Sequence, residues 1–171
     1  INEHLCTTLS FLTEDNYSFR FYRAQSTSPI QMYLEGAPAN IGQPEQVIMF
    51  SGGLDSLAGA VDQSIVNPSK ILLVTHRSTP KRNGRMRALQ QALRLKSGRF
   101  APSFLDIRAS KNSDLTADYT QRSRSFLFAA LGATVAHLLK LHRLSFYENG
   151  VVSLNLPVCA QVVGSRATRT T

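Results

Sequence analysis

The feature that most constrains this chain is a short apolar run that ends in two glycines and turns straight into a helix pattern. Val47-Ile48-Met49-Phe50 reads as a buried strand, Ser51-Gly52-Gly53 follows, and Leu54, Leu57, Ala58, Val61 and Ile65 then recur at i, i+3, i+4, i+7. Adjacent glycines let the backbone turn tightly and bring several N–H groups against one ligand. Those N–H groups are also the unpaired donors of a helix N-terminus, where the helix dipole favours negative charge. Strand, small-residue loop and helix start together predict an anion-binding turn. No Gly-Lys-Ser/Thr follows, which excludes a Walker A loop.

Alternation sets the fold class. After residue 46, continuous apolar strands, Ile71 to Thr75, Ser103 to Ile107 and Leu144 to Tyr147, alternate with helix patterns over Arg82 to Lys96 and Ser123 to Leu141. Strands that are apolar throughout and separated by helices predict an α/β fold with a doubly wound parallel sheet. In the long helix Leu127, Ala130, Leu131, Thr134, Leu138 and Leu141 are the expected inner side, although Phe126, Phe128 and Val135 make other sides apolar too. Val151 to Leu156 reads as a fifth strand or an ordered loop. Residues 1–45 read differently. Leu9 to Leu12, Ser18 to Arg23 and Gln31 to Leu34 alternate polar with apolar residues, so a small antiparallel β segment is expected there, followed by a Gly/Pro linker. The organisation expected is thus 1–45 as a small β-rich segment and linker, and 46–171 as an α/β domain cut short at its C-terminus.

The charge balance leaves two readings open. With 19 Lys and Arg against 11 Asp and Glu, the net charge is +8: either a generally basic surface or a surface for anionic ligands. No apolar run approaches the roughly 20 residues of a membrane span, so no membrane partner is expected. Cys6 and Cys159 form no C-x-x-C pair, which excludes a four-cysteine zinc site within this chain and makes each a small buried hydrophobe in a reducing cytoplasm.

In a parallel sheet ligands bind outside the carboxyl ends of the strands. Ser51 to Ser56, Thr75-His76-Arg77, Asp106-Ile107-Arg108 and Glu148-Asn149-Gly150 should therefore share one edge. With no Walker lysine, positive charge must come from elsewhere: Arg77, or Arg124 at the head of the long helix, whose guanidinium can bind phosphate bidentately. Lys81, Arg82, Arg85 and Arg87 read as a solvated basic face. Asp55 has two readings, a helix-dipole partner in the first turn or a Mg²⁺ ligand that offsets its repulsion from a phosphate. His76 reads as a packing or hydrogen-bonding residue, and His137 and His142 as structural.

Ser51-Gly52-Gly53-Leu54-Asp55-Ser56 resembles the PP-loop, the pyrophosphate signature of the N-type ATP pyrophosphatases. Residues 47 to about 150 are similar to the 7-cyano-7-deazaguanine synthase family of queuosine biosynthesis, with Arg124 in Arg122-Ser123-Arg124-Ser125-Phe126 matching an arginine that opens a long helix in that family. The tail around Glu148 to Pro157 and Gly164 to Thr171 resembles divergent members encoded with anti-phage defence systems. The resemblance implies an adenine-nucleotide α-hydrolase fold and an enzyme, a ligase that binds ATP and Mg²⁺, activates a 7-carboxy-7-deazaguanine-like carboxylate by adenylation, and releases pyrophosphate and AMP. It implies phosphate contacts from Ser51, Gly52, Gly53, Leu54, Asp55, Ser56 and Arg124, an adenine site at Val74, Thr75, His76 and Arg77, and Asp55 and Arg124 as catalytic residues. Glu148, Asn149 and Asn155 are candidates for recognising a purine-like base. The acyl acceptor is ammonia, a protein or a nucleic acid, and a homodimer is compatible with these features. The family's four-cysteine zinc cluster is missing from this chain, so Zn²⁺ enters only with cysteines outside it. Two alternatives stand beside this one: a non-catalytic ATP- or AMP-binding regulatory module, and a tRNA-modifying PP-loop enzyme.

Overall fold

A computed structural model describes residues 1–13, 15–23, 43–77, 83–109 and 124–148. Among them, the elements run α1 (Asn2–Thr13), β1 (Gln46–Met49), α2 (Leu54–Val61), β2 (Ile71–His76), α3 (Asn83–Lys96), β3 (Ser103–Ile107), α4 (Arg124–Leu138) and β4 (Leu144–Ser145). A π-helical turn, Asp62–Val66, extends α2, and a 3-10 turn, Gly98–Phe100, precedes β3. The strands form one sheet in the order β3-β2-β1-β4, and every pairing is parallel. The expected α/β class with a parallel sheet is therefore what the chain adopts.

Helices cover both faces of the sheet, as a doubly wound arrangement requires. Ile48, Phe50, Ile71 and Leu73 pack with Ala60 of α2 and with Met86 and Leu93 of α3. Val47, Met49, Leu72 and Val74 pack with Val135 and Ala136 of α4. The alternation within β1 and β2 sends successive side chains to opposite faces, and both faces are apolar because both are covered. At the amino end of β1, buried Gln46 donates through Nε2 to Gln63 Oε1 at 2.6 Å and to Ser69 Oγ at 3.3 Å. Its Oε1 accepts from Ser145 Oγ at 3.3 Å, so one amide ties β1 to the α2–β2 connection and to β4.

Two sequence expectations for the N-terminal stretch are corrected. Leu9 to Leu12 lies in helix α1, and Asp15 to Arg23 forms no strand. Local hydrogen bonds decide this: Thr13 Oγ1 donates to Leu9 O at 3.0 Å, and Asn2 Nδ2 of the helix donates to Phe19 O at 3.0 Å. Gln31 to Leu34 and Val151 to Leu156 lie outside the described residues.

On α2, the buried side is Ser56, Gly59 and Ala60, while Leu54 and Ile65 are exposed. Small residues bring the helix close to the sheet, and the π-helical turn shifts the face beyond Val61. On α4, the buried residues are Gly132, Val135 and Ala136, with Phe128 packed beside them, whereas Ala130, Thr134 and Leu138 are exposed. An apolar stripe on every side of a helix leaves periodicity unable to select the inner one.

Gly59 shows how closely α2 approaches its neighbour. A Cβ there would lie 2.2 Å from the Tyr147 ring, which follows β4. Burial first, and then the Asp62 carboxylate, push the Tyr147 phenol above its ordinary pKa, against a smaller opposing effect of Arg143. Gly59→Ala should therefore lower stability by about 1–3 kcal/mol through overpacking; an unchanged urea midpoint would show that the ring can step aside. The phenol also gives a pH dependence. The unfolded chain ionises this tyrosine at about pH 10, before the folded protein does, so stability is intact below that pH and falls as pH rises through it. Urea midpoints measured between about pH 9 and 11 should decline less steeply in Tyr147→Phe than in the parent.

Candidate functional site

The loop after β1 is built around one left-handed residue. Gly52 has φ +73°, a region closed to most side chains, and a Cβ there would lie 2.9 Å from Met86 Cε of α3. The turn reverses the chain directly into α2, whose first helical bond runs from Leu57 N–H to Gly53 O at 3.0 Å. No side chain caps this end. The N–H groups of Leu54, Asp55 and Ser56 therefore precede the helical ladder and mark the positive end of the α2 dipole.

Hydroxyls stiffen the same turn. Ser56 Oγ donates to Gly53 O at 3.2 Å, and Ser51 and Ser56 Oγ lie 3.1 Å apart. With the single Ser56 hydrogen directed at Gly53 O, the Ser51 hydroxyl is the donor across the pair. Gly53 N–H in turn donates to Ser51 Oγ at 3.3 Å. Ser56 is buried, while Ser51, Gly53, Leu54 and Asp55 face solvent. The result is an exposed helix start with uncapped backbone donors, braced by two bonded hydroxyls.

Parallel pairing brings the other expected residues to the same edge of the sheet. Phe50 N–H donates to Val74 O at 2.8 Å, Thr75 pairs in register with Asp106, and Arg77 N–H donates to Ile107 O at 2.8 Å. Glu148 is exposed and follows β4, which runs parallel to β1. Arg124 is the first residue of α4, and its side chain lies outside the described residues, as do Asn149, Asn155, Lys81 and Arg82.

Each residue at the end of β2 has its own environment. Val74 is buried against the α4 side. Thr75 is 4% exposed, and its Oγ1 is buried without a hydrogen-bond partner among the described residues. His76 shares a hydrogen bond of 3.0 Å with Ala109 O, and its ring is tilted 5.7 Å from Phe128 of α4. A carbonyl only accepts, so Nε2 is the donor of this bond. This agrees with the packing and hydrogen-bonding reading of His76. Arg77 pairs with the Asp106 carboxylate, so its charge is met inside the fold. Sequence reasoning put Asp106 at the strand end without joining it to Arg77; the register of β2 against β3 is what makes them neighbours.

Among the described residues, no cluster of three or more His, Cys, Asp or Glu could hold a metal ion, and no helix is long and apolar enough to cross a membrane. Asp55 stands alone as an exposed carboxylate in the first turn of α2. That suits Mg²⁺, which characteristically uses one or two carboxylates and takes its remaining ligands from phosphate and water.

No family model, curated protein or solved structure matches the chain.

The buried, unpartnered Thr75 hydroxyl supplies a prediction for this edge. Leaving a buried hydroxyl unpaired costs about 1–3 kcal/mol. Thr75→Val should therefore raise the thermal midpoint of the free protein, and a lower midpoint would reveal a partner for Oγ1.

Proposed function

We propose that this chain is an ATP-dependent adenylating enzyme of the PP-loop type. The observation that carries the reading is the Ser51–Ser56 turn: a left-handed Gly52, an uncapped helix start and two bonded hydroxyls at the carboxyl edge of a parallel sheet. Helix N-termini in this setting bind phosphate through backbone N–H groups. The resemblance of the same six residues to a pyrophosphate loop chooses ATP among phosphate ligands.

In the reaction proposed, the N–H groups of Leu54 to Ser56 hold the β- and γ-phosphates, joined by Gly53 N–H and the Ser51 and Ser56 hydroxyls once these turn from their present partners to the ligand. Asp55 would hold Mg²⁺, which offsets charge on the departing pyrophosphate. The adenine lies along Val74 to Arg77. A carboxylate oxygen of the substrate attacks the α-phosphorus, the bond from that phosphorus to the β-bridging oxygen breaks, and pyrophosphate leaves. An amine nitrogen then attacks the acyl carbon, and AMP departs with the former carboxylate oxygen. Throughout, the chain supplies positioning and charge rather than covalent chemistry. The substrate is a 7-carboxy-7-deazaguanine-like base, recognised by Glu148, Asn149 and Asn155; Arg124 adds phosphate contact from the head of α4. An anti-phage defence role, a cytoplasmic setting and a protein or nucleic-acid acceptor belong to the same reading.

One observation favours a second reading. The Arg77 guanidinium is committed to Asp106, so among the described residues its charge is not free to meet a departing pyrophosphate. A module that holds ATP or AMP without turnover would be built this way.

Incubation with ATP, Mg²⁺, the carboxydeazaguanine and ammonia separates the two. The enzyme should release pyrophosphate and AMP in equal amounts, and Asp55→Ala or Ser56→Ala should slow release by about 10²-fold or more. ATP binding without either product establishes the module instead.

A further inference from the structure

The positive charge of this protein is concentrated in one stretch of its sequence. Residues 71–105 contain eight of the 19 Lys and Arg and none of the 11 Asp and Glu, so the rest of the chain is balanced at 11 against 11. Helix α3 lies at the centre of this stretch. Met86 and Leu93 turn its apolar side to the sheet, while Arg85, Arg87, Arg94 and Lys96 are exposed, and Arg99 extends the exposed cations into the turn before β3.

None of these five cations has a carboxylate partner among the described residues, where the one ion pair is Arg77 with Asp106. Two are held in place by rings instead. The Arg94 guanidinium carbon lies 5.1 Å from the Phe104 ring centroid, and that of Arg99 lies 5.0 Å from the Phe100 ring centroid. A ring orients a guanidinium without neutralising it. Phe104 belongs to β3, the outermost strand on its side of the sheet among the described residues. The basic band thus runs from α3 onto the edge of the sheet.

We infer that this band is a docking surface for a nucleic acid, gripped through its phosphates. Arg85 and Lys96 are eleven residues apart, a rise of about 16 Å along a helix. At about 3.6 residues per turn Arg85 and Lys96 share one flank of α3 and Arg87 and Arg94 the opposite flank, so the two rows meet phosphates on the two sides of a groove rather than along one strand. Four of the five are arginines, whose planar fork matches phosphate bidentately. The band stands on the charge distribution alone and does not depend on the adenylation reading. It does adjoin the candidate site, because Met86 of α3 packs against Gly52.

Fluorescence anisotropy with labelled 20-mers of single- and double-stranded RNA and DNA, taken from 50 to 300 mM salt, tests the inference. The parent should bind at least one of them, with log affinity falling by about four per tenfold rise in salt. Arg85→Gln/Arg87→Gln/Lys96→Gln should weaken binding about tenfold or more and lower that slope by about three. A control that removes the same charge elsewhere, Arg20→Gln/Lys70→Gln/Arg143→Gln, should keep most of both. Circular dichroism verifies that each variant folds, and single Arg87→Gln, expected to lower the slope by about one, serves if the triple variant does not. Absence of binding at 50 mM salt, or equal losses in both triple variants, overturns the inference. Equal affinity for poly-glutamate also overturns it, in favour of an acidic protein partner.

Discussion

Strand β1 is four residues long, and all four are buried. Its two edges pair with β2 and β4, and its two faces are sealed by α2 and α3 on one side and α4 on the other. A parallel strand cannot reach its neighbour through a tight turn, so each connection must cross the sheet face. The crossovers are the helices that bury the sheet, and every strand ends on the same edge. The position of the Ser51–Ser56 turn follows from this constraint: it is where the central strand stops and its first crossover begins.

Close approach does the rest. Gly59 admits the Tyr147 ring against α2, and Gly52 admits Met86 beneath the loop. Both contacts join a helix to a segment next to the candidate site, so loop geometry and core packing are not independent. Shared packing of this kind fixes the row of backbone donors at the head of α2. The hydroxyl pair of Ser51 and Ser56 serves the same end at shorter range.

Much of the architecture was legible because its causes are local. Val47 to Met49 and Ile71 to Val74 are apolar without a break, and only strands covered on both faces tolerate that pattern. The loop was legible because two glycines after a strand have few other uses. Where several structures satisfied the same local pattern, the reading failed. Leu9 to Leu12 suits a strand by alternation, yet the Thr13 hydroxyl bond to Leu9 and the seating of Leu12 favour a helix. In α4, Phe126, Leu127, Phe128 and Leu131 surround the axis, and only contact with β1 and β4 selects Gly132, Val135 and Ala136 as the inner side.

The sequence by itself determined the α/β class, the parallel sheet and the strand–glycine–helix turn of Ser51 to Ser56, since strand burial and glycine backbone freedom are properties of short segments. It also determined the sum of the charges. Tertiary structure alone decided how those charges are used. Strand register brings Asp106 to Arg77 and leaves Thr75 Oγ1 without a partner among the described residues, while the fold of α3 against β3 sets Arg94 over Phe104. Charge interactions fall off with separation in space, not along the chain, so only the folded chain settles which cations are neutralised and which stay available.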